Sequence, residues 1–378
     1  MVQVPTPGDH YSASTGSAIM AVVHAITCKH IGAGGQVRIV VGHDTCRDLP
    51  DGQCVEVVYP PPRTRNQKMA EVGMGWIGLP RLYERRLYRP ILESIEPDFD
   101  GTILMYNCPG AISLVKRRRP KAQVCLYAVN ALFRTYSRME ARRVVNAADR
   151  IICCSQFIAD DLISHIGRKS PKIKVVHNGV DTNHFRPRPR EAGSSNEPPK
   201  ILFIGRVVPQ KGPDLLLKAA RLLHGKTPPF KLRLVGSRGF ALISNLSPYE
   251  SELRDLAEPI RDIVEFQPSI SRSQLLDEYQ SADIFCAPSN WDDPFPLTVL
   301  EAMACGIPTV TSRRGGIPEG GAEDALYFSP PNAEELAERL AFFISDAKIR
   351  AEWSIRARKR AERFDWQNQY QVLRQALH

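Results

Sequence analysis

The chain has 378 residues, 43% of them hydrophobic and 24% charged, with a formal net charge of +9. That length supports two domains with full cores and excludes one small module, while the composition excludes extensive disorder. The positive balance suits a nucleic acid, an anionic membrane face or a nucleoside diphosphate, and net charge alone does not choose among them. Met1 to Asp9 lacks a basic stretch, the apolar run Ala18 to Cys28 is broken by His24, and no run reaches roughly 18 apolar residues. Neither a signal peptide nor a membrane span is therefore predicted. The nine cysteines are odd in number and scattered without a Cys-x-x-Cys pair. They indicate neither a disulfide framework nor a zinc site, and a reducing cytoplasmic setting is expected.

In chain order, Thr15-Gly16-Ser17 leads into a helix predicted from Ala18 to His30, followed by the β-branched strand Val37 to Val41. Further strands are expected at Thr102 to Tyr106, Gln123 to Ala128, Arg150 to Cys154 and Ile173 to Val176. His177-Asn178-Gly179-Val180-Asp181 reads as a turn with Asn178 and Gly179 at positive φ. Arg186 to Lys200, rich in Pro, Ser, Gly and charge, reads as a linker. Beyond it come a strand at Ile201 to Gly205, a helix at Asp214 to Leu223, and strands at Lys231 to Val235, Ile263 to Phe266, Ile284 to Ala287 and Thr309 to Ser312. Charged amphipathic helices are expected from Ala333 to Leu377. Alternating strand and helix implies an α/β protein with parallel sheets, whose ligands lie at the carboxyl ends of the strands.

The segment Asp293-Pro294-Phe295-Pro296-Leu297-Thr298-Val299-Leu300-Glu301 places two carboxylates around the start of a helix, with Pro296 suited to its first turn. Exposed N–H groups at such a start favour a phosphate, and carboxylates beside them accept hydrogen bonds from sugar hydroxyls. The plainer alternative is that Asp293 caps the helix and Glu301 faces solvent. Gly205-Arg206-Val207-Val208-Pro209-Gln210-Lys211-Gly212 runs from a strand to a helix, so Arg206 and Lys211 project from a loop at a sheet's carboxyl edge, placed to neutralise a diphosphate. Gly16 lies where a loop must pass close to a ligand, and Arg238 in Gly236-Ser237-Arg238-Gly239 ends another strand on the same rim. Gly315-Gly316-Ile317-Pro318-Glu319 follows a strand and is expected to be flexible enough to close over a ligand.

Pro288 to Glu319 resembles the donor site of retaining glycosyltransferases of family 4, which have the GT-B fold of two Rossmann-like domains facing each other across a cleft. The family pattern has Glu at both carboxylate positions and Gly after the Phe; here Asp293 stands for the first Glu and Pro296 for the Gly. The resemblance makes Arg206 and Lys211 the diphosphate-binding cations, Asp293 the residue orienting sugar hydroxyls and Glu301 the one holding the ribose. Phe295, Pro296 and Leu297 then form the helix start under the phosphate. It implies domains at 1–186 and 187–360 and a closing helix at 361–378, announced by Phe364-Asp365-Trp366, that crosses back to the first domain. Where family members present a His to the donor sugar, this chain has Val129, with Asn130 beside it as the polar substitute. No metal and no cofactor is implied, the nucleotide sugar, most simply a UDP sugar, being a substrate.

Competing signals point elsewhere. Asp98-Phe99-Asp100 is similar to a metal-binding Asp-x-Asp but stands before a strand, and Lys116 to Lys121 fits a basic helix end rather than a nucleic-acid surface. Arg81 to Arg89 is basic and aromatic, a combination that suits either an anionic membrane surface, and hence a lipid-linked acceptor, or an acceptor-side helix. A basic nucleic-acid-binding protein is the alternative of another class. Val4 to Met20 together with Trp291-Asp292-Asp293 resembles the glycosyltransferases that act on 2-deoxystreptamine pseudodisaccharides such as paromamine in aminoglycoside antibiotic biosynthesis. That likeness implies a small polycationic acceptor and local acids to receive it, with Asp9 among the candidates.

Overall fold

A computed structural model describes residues 1–12, 17–45, 48–49, 51–188, 197–239 and 246–378. The described chain divides into two compact units, one formed by 1–12, 17–178 and 367–378, the other by 179–366.

The first unit is built on a seven-stranded sheet of β1 (Val2–Val4), β2 (Arg38–Gly42), β3 (Gln53–Val57), β4 (Thr102–Tyr106), β5 (Gln123–Ala128), β6 (Arg150–Cys153) and β7 (Ile173–Val175). Their order is β3-β2-β1-β4-β5-β6-β7, every pairing parallel. Central strands such as β4 and β5 are buried along nearly their whole length, which accounts for their unbroken apolar runs. The unpredicted β1 is Val-Gln-Val, and its buried Gln3 is satisfied by Nε2 donating to Thr27 Oγ1 (2.6 Å) and by Oε1 accepting from Tyr106 (2.5 Å). Residues 367–378 join this unit, as Tyr370 meets His30 Nδ1 at 2.7 Å and Arg150 Nε donates to the Ala376 carbonyl.

The second unit carries β8 (Lys200–Ile204), β9 (Lys231–Val235), β10 (Val264–Gln267), β11 (Ile284–Ala287), β12 (Thr309–Ser312) and β13 (Leu326–Phe328). Their order is β10-β9-β8-β11-β12-β13, again all parallel. In both sheets the winding reverses beside the first strand, between β1 and β4 and between β8 and β11, the position where doubly wound sheets bind ligands. The helix Pro213–Leu223 begins with Pro in its first turn and buries Leu215, Leu216, Leu217, Ala219, Ala220 and Leu223 against this sheet. With Phe203, Leu234 and Phe343 they form the unit's core.

Three expectations change. The units meet in sequence at 178/179 and 366/367 rather than at 186/187 and 360/361. The cause is that Val180 bridges Asp365 while Thr182 Oγ1 donates to Asp365 Oδ2 (2.6 Å) and Arg358 donates to the Thr182 carbonyl, binding 179–188 to the second unit ahead of the proline-rich stretch. Second, neither Asn178 nor Gly179 has positive φ. Gly179 is needed for closeness instead, since a Cβ there would stand 2.6 Å from the Trp366 ring. Third, the helix that follows Asp293 spans Leu297–Ala304, with Pro296 as its N-cap rather than inside its first turn. Among the described residues, no helix is long and apolar enough to cross a membrane.

Candidate active site

Three loops converge at the switch point of the second sheet. The loop after β8 continues alongside β9, with Gly205 N donating to the Val235 carbonyl (3.1 Å) and Val207 N to that of Ser237 (2.9 Å). It then makes one 3-10 turn, Pro209–Lys211, and reverses at Gly212, whose φ is +69°. A Cβ on Gly212 would meet the Pro288 carbonyl group, which opens the loop after β11, so only glycine allows the two loops to touch. Asn290 N, donating to the Gln210 carbonyl at 2.8 Å, ties them together. The third loop follows β12. Gly315, at φ +56°, lies against the Asp292–Asp293 backbone, and Gly316 N donates to the Asp293 carbonyl at 2.8 Å. This loop is therefore a brace for Asp293, where flexibility was expected.

The braced side chains are largely dry. Asp293 is 6% exposed and Glu301 4%, so Asp293 is no solvent-facing cap and Glu301 does not point to water. Lys211 Nζ forms an ion pair with Asp293 Oδ2 and lies over the Trp291 ring, 5.8 Å from its centroid. The Trp291 indole N–H is buried and has no hydrogen-bond partner. Glu301 Oε2 accepts from the Tyr279 hydroxyl at 2.9 Å, and Oε1 from Arg272 at 3.3 Å. Burial, followed by the Glu301 charge, drives the Tyr279 pKa well up, so that phenol stays a donor. Arg206 is exposed on the β8 loop. Phe295 is buried, with its ring 5.8 Å from that of Phe364, while Pro296 and Leu297 are half-buried at the start of their helix.

Arg206 and Lys211 thus lie on the loop that leaves β8, Asp293, Phe295 and Pro296 on the loop that leaves β11, and Leu297 and Glu301 on the helix that follows it. Arg238 is exposed beyond β9 in the same unit, and its backbone N–H donates to Glu250 Oε1 at 3.2 Å. Asp9 and Asn130 belong to the first unit, just beyond β1 and β5. Val129, at the family's His position, is buried, with its N–H held by Asn107 Oδ1 at 3.0 Å. Gly16 lies outside the described residues. Tyr279 and Arg272 escape sequence reasoning as parts of this constellation. Tyr279 and Arg272 reach Glu301 only through the fold, whereas the clustered glycines at 315 and 316 signal a tight loop without showing what it touches.

Two doubly wound parallel units, one with cations and buried acids at its switch point, define a protein of the GT-B fold. Solved structures agree on that fold. Anabaena Alr3699/HepE in complex with UDP and glucose superposes with a TM-score of 0.72 at 18% identity, covering 100% of this chain and 98% of that one. The sucrose-phosphate synthase of Thermosynechococcus elongatus gives 0.75 at 18% identity, covering 99% and 97%. The sequence model described as Glycosyltransferase Family 4 matches residues 22–184, and that of Glycosyl transferases group 1 matches 185–360. The chain belongs to the family 4, group 1 glycosyltransferases. Among curated relatives, it is similar to a D-inositol 3-phosphate glycosyltransferase of Saccharomonospora viridis, 33% identical over 238 residues that cover 59% of this chain and 54% of that protein. Spore coat protein SA of Bacillus subtilis is 28% identical over 278 residues, covering 69% of this chain and 74% of that protein. The chain thus spans roughly half to three quarters of the length of such relatives.

Proposed function

We propose that the protein transfers a sugar, with retention of configuration, from a UDP sugar to a hydroxyl of a small polycationic acceptor, best a 2-deoxystreptamine pseudodisaccharide such as paromamine. The observation that carries the donor half is the pairing of Lys211 with the buried Asp293 on loops locked together at the switch point, with a buried Glu301 on the helix that follows. In this reading Arg206 and Lys211 take up the charge that develops on the departing diphosphate, in a water-poor setting where fixed cations act strongly. The diphosphate competes with Asp293 for Lys211, which releases the Asp293 carboxylate towards the sugar hydroxyls. Glu301, held by Tyr279 and Arg272, accepts from the ribose hydroxyls, and the N–H groups at the Leu297 helix start face the phosphate. The acceptor oxygen attacks the face the diphosphate leaves, through an oxocarbenium-like pair, and no enzyme nucleophile is required. The UDP and glucose bound by the Anabaena protein of the same fold are consistent with such a donor.

Support for the acceptor comes from the likeness of Val4 to Met20 and from Asp9. Its carboxylate is largely buried just beyond β1, where burial raises its pKa against the opposing effects of the Thr6 side chain and His10. An acceptor ammonium would satisfy it. Free thiols at all the described cysteines fit the cytoplasmic setting in which we place the reaction. Incubation with a panel of nucleotide sugars and paromamine, with NMR of the product's anomeric centre, tests the reading. A retained α-linked product from a UDP sugar supports it, and an inverted linkage or no transfer from any UDP sugar refutes it.

A second reading, transfer to a lipid-linked acceptor, draws on a surface of the first unit. The helix Leu82–Glu93 lines a groove with Arg85, Arg86 and Arg89, facing Arg118 and Arg119. Nearby in sequence, Trp76, Ile77, Leu79 and Leu82 are each at least half exposed. Co-sedimentation with anionic vesicles, together with activity confined to lipid acceptors, would favour it.

A further inference from the structure

The helix Ala18–Gly32 carries His24 and Cys28 one turn apart on the same face. Opposite them, Gly52 at φ +88° allows the loop before β3 to lie flat on the helix, as a Cβ there would stand 2.9 Å from Thr27 Cγ2 and 2.8 Å from Ile39 Cδ1. That approach brings Asp51 over Cys28. The three ligand atoms close into a small triangle: Cys28 Sγ is 3.5 Å from His24 Nε2 and 3.3 Å from Asp51 Oδ2, and Nε2 is 3.9 Å from Oδ2.

Two edges of that triangle match a tetrahedral ion, and the Nε2–Oδ2 edge closes to the same span with a small turn of either side chain. Bonds of about 2.3 Å to sulfur and about 2.0–2.2 Å to nitrogen and oxygen set ligands roughly 3.3–3.6 Å apart. A second layer orients the histidine. The fully buried Tyr11 donates its hydroxyl proton to the Asp51 carbonyl at 2.8 Å and meets His24 Nδ1 at 3.0 Å, so it accepts from Nδ1–H and leaves the lone pair on Nε2, towards the triangle. His24 and Asp51 keep 27% and 43% of their side-chain exposure, enough for solvent to complete the fourth position.

We infer that His24, Cys28 and Asp51 form a site for one zinc-like divalent cation, with water as its fourth ligand and Tyr11 as the positioning residue that sets the histidine tautomer. The mixed nitrogen, sulfur and oxygen donors select zinc over magnesium or calcium. The ion replaces the proton that the thiol otherwise shares with Asp51, and that proton leaves to solvent. The site belongs to the first unit and shares no residue with the donor constellation, and its effect is to clamp the loop before β3 onto the first long helix.

The test uses the full chain, freed of any affinity tag and treated with a chelator, titrated with cobalt and then with zinc. One equivalent of cobalt is expected to produce a thiolate-to-cobalt charge-transfer band that zinc abolishes. Cys28→Ser is expected to lose the band and His24→Gln to weaken binding at least tenfold, each with an unchanged circular dichroism spectrum. Should either variant misfold, alkylation of the parent read by mass spectrometry decides: one equivalent of zinc is expected to slow labelling of Cys28 at least tenfold. Absence of stoichiometric binding, a band that survives in Cys28→Ser, or unprotected Cys28 in the parent would overturn the assignment and leave a closed hydrogen-bonded triad.

Discussion

Gly315→Ala is the sharpest test of how the site is held. A Cβ at this position would stand 2.7 Å from both Asp292 C and Asp293 N, and closer still to the Asp293 carbonyl oxygen. Ordinary contact is about 3.5–4.0 Å, so one of the two backbones must retreat by roughly 1 Å. The φ of +56° adds a left-handed penalty of about 1–2 kcal/mol for any residue with a Cβ. A destabilisation of about 2 kcal/mol would lower Tm by roughly 4–8 °C in a domain of this size. The larger effect falls on catalysis, because a displacement of about 1 Å at a positioning group costs on the order of 10²-fold in rate. We expect kcat/KM for the UDP sugar to fall about a hundredfold while circular dichroism stays parental. Gly73→Ala is the control: it lies inside the helix Arg65–Trp76 with nothing within 4 Å of an added Cβ, and it should leave kcat/KM unchanged and raise stability slightly. A Gly315→Ala protein with parental Tm and parental kcat/KM would refute the bracing role of this loop.

Other perturbations separate the parts of the site. Glu301→Gln should weaken UDP by about tenfold or more, the scale of losing a charged acceptor at about 1.5–3 kcal/mol, whereas Tyr279→Phe in the Glu301→Gln background should add little further; calorimetric additivity of the two would contradict their coupling. Trp291→Phe removes the unpartnered indole N–H and should raise the KM for the UDP sugar severalfold while leaving UDP affinity parental, so an equal loss for both ligands would count against a sugar contact. Outside the site, Arg38 clasps Glu96 through two hydrogen bonds of 2.6 and 2.7 Å, and these hold the carboxyl pKa down at about 2. A depressed carboxyl pKa stabilises the fold above its ordinary value of 4.5 and loses that contribution as pH falls through about 2. Glu96 is 57% exposed, so the effect is well under about 1 kcal/mol; the urea midpoint gap between parent and Glu96→Gln should narrow between pH 5 and pH 2, and a constant gap would contradict it.

Much of the fold was readable because central parallel strands are buried on both faces. Runs such as Thr102 to Tyr106 and Ile284 to Ala287 announce themselves without tertiary help. Val2–Val4 stayed hidden because Gln3 interrupts its apolar run, and that residue is acceptable inside only because Thr27 and Tyr106 satisfy it. Composition points to the proline-rich stretch as the boundary, yet Asp365 recruits Thr182 across the sequence and moves the division upstream. At the site, the positions of Arg206, Lys211 and Asp293 follow from loops that leave strands, and that of Glu301 from the helix start after Asp293. The burial of both acids, the Lys211 ion pair and the support from Tyr279 and Arg272 arise only when separate loops pack together. The His24, Cys28 and Asp51 triangle is a sharper case, for only the first two have a telling spacing and the third arrives through a glycine turn.

Titration of UDP into the parent and into Arg206→Ala by calorimetry tests the central claim most directly. Arg206 is exposed, so its removal spares the core. One UDP is expected to bind the parent, and loss of the guanidinium should weaken it roughly 10- to 100-fold, equivalent to about 1.5–3 kcal/mol, with Tm unchanged. A parent that binds no UDP, or an Arg206→Ala protein that binds it as tightly as the parent, would contradict the assignment of a diphosphate to these loops.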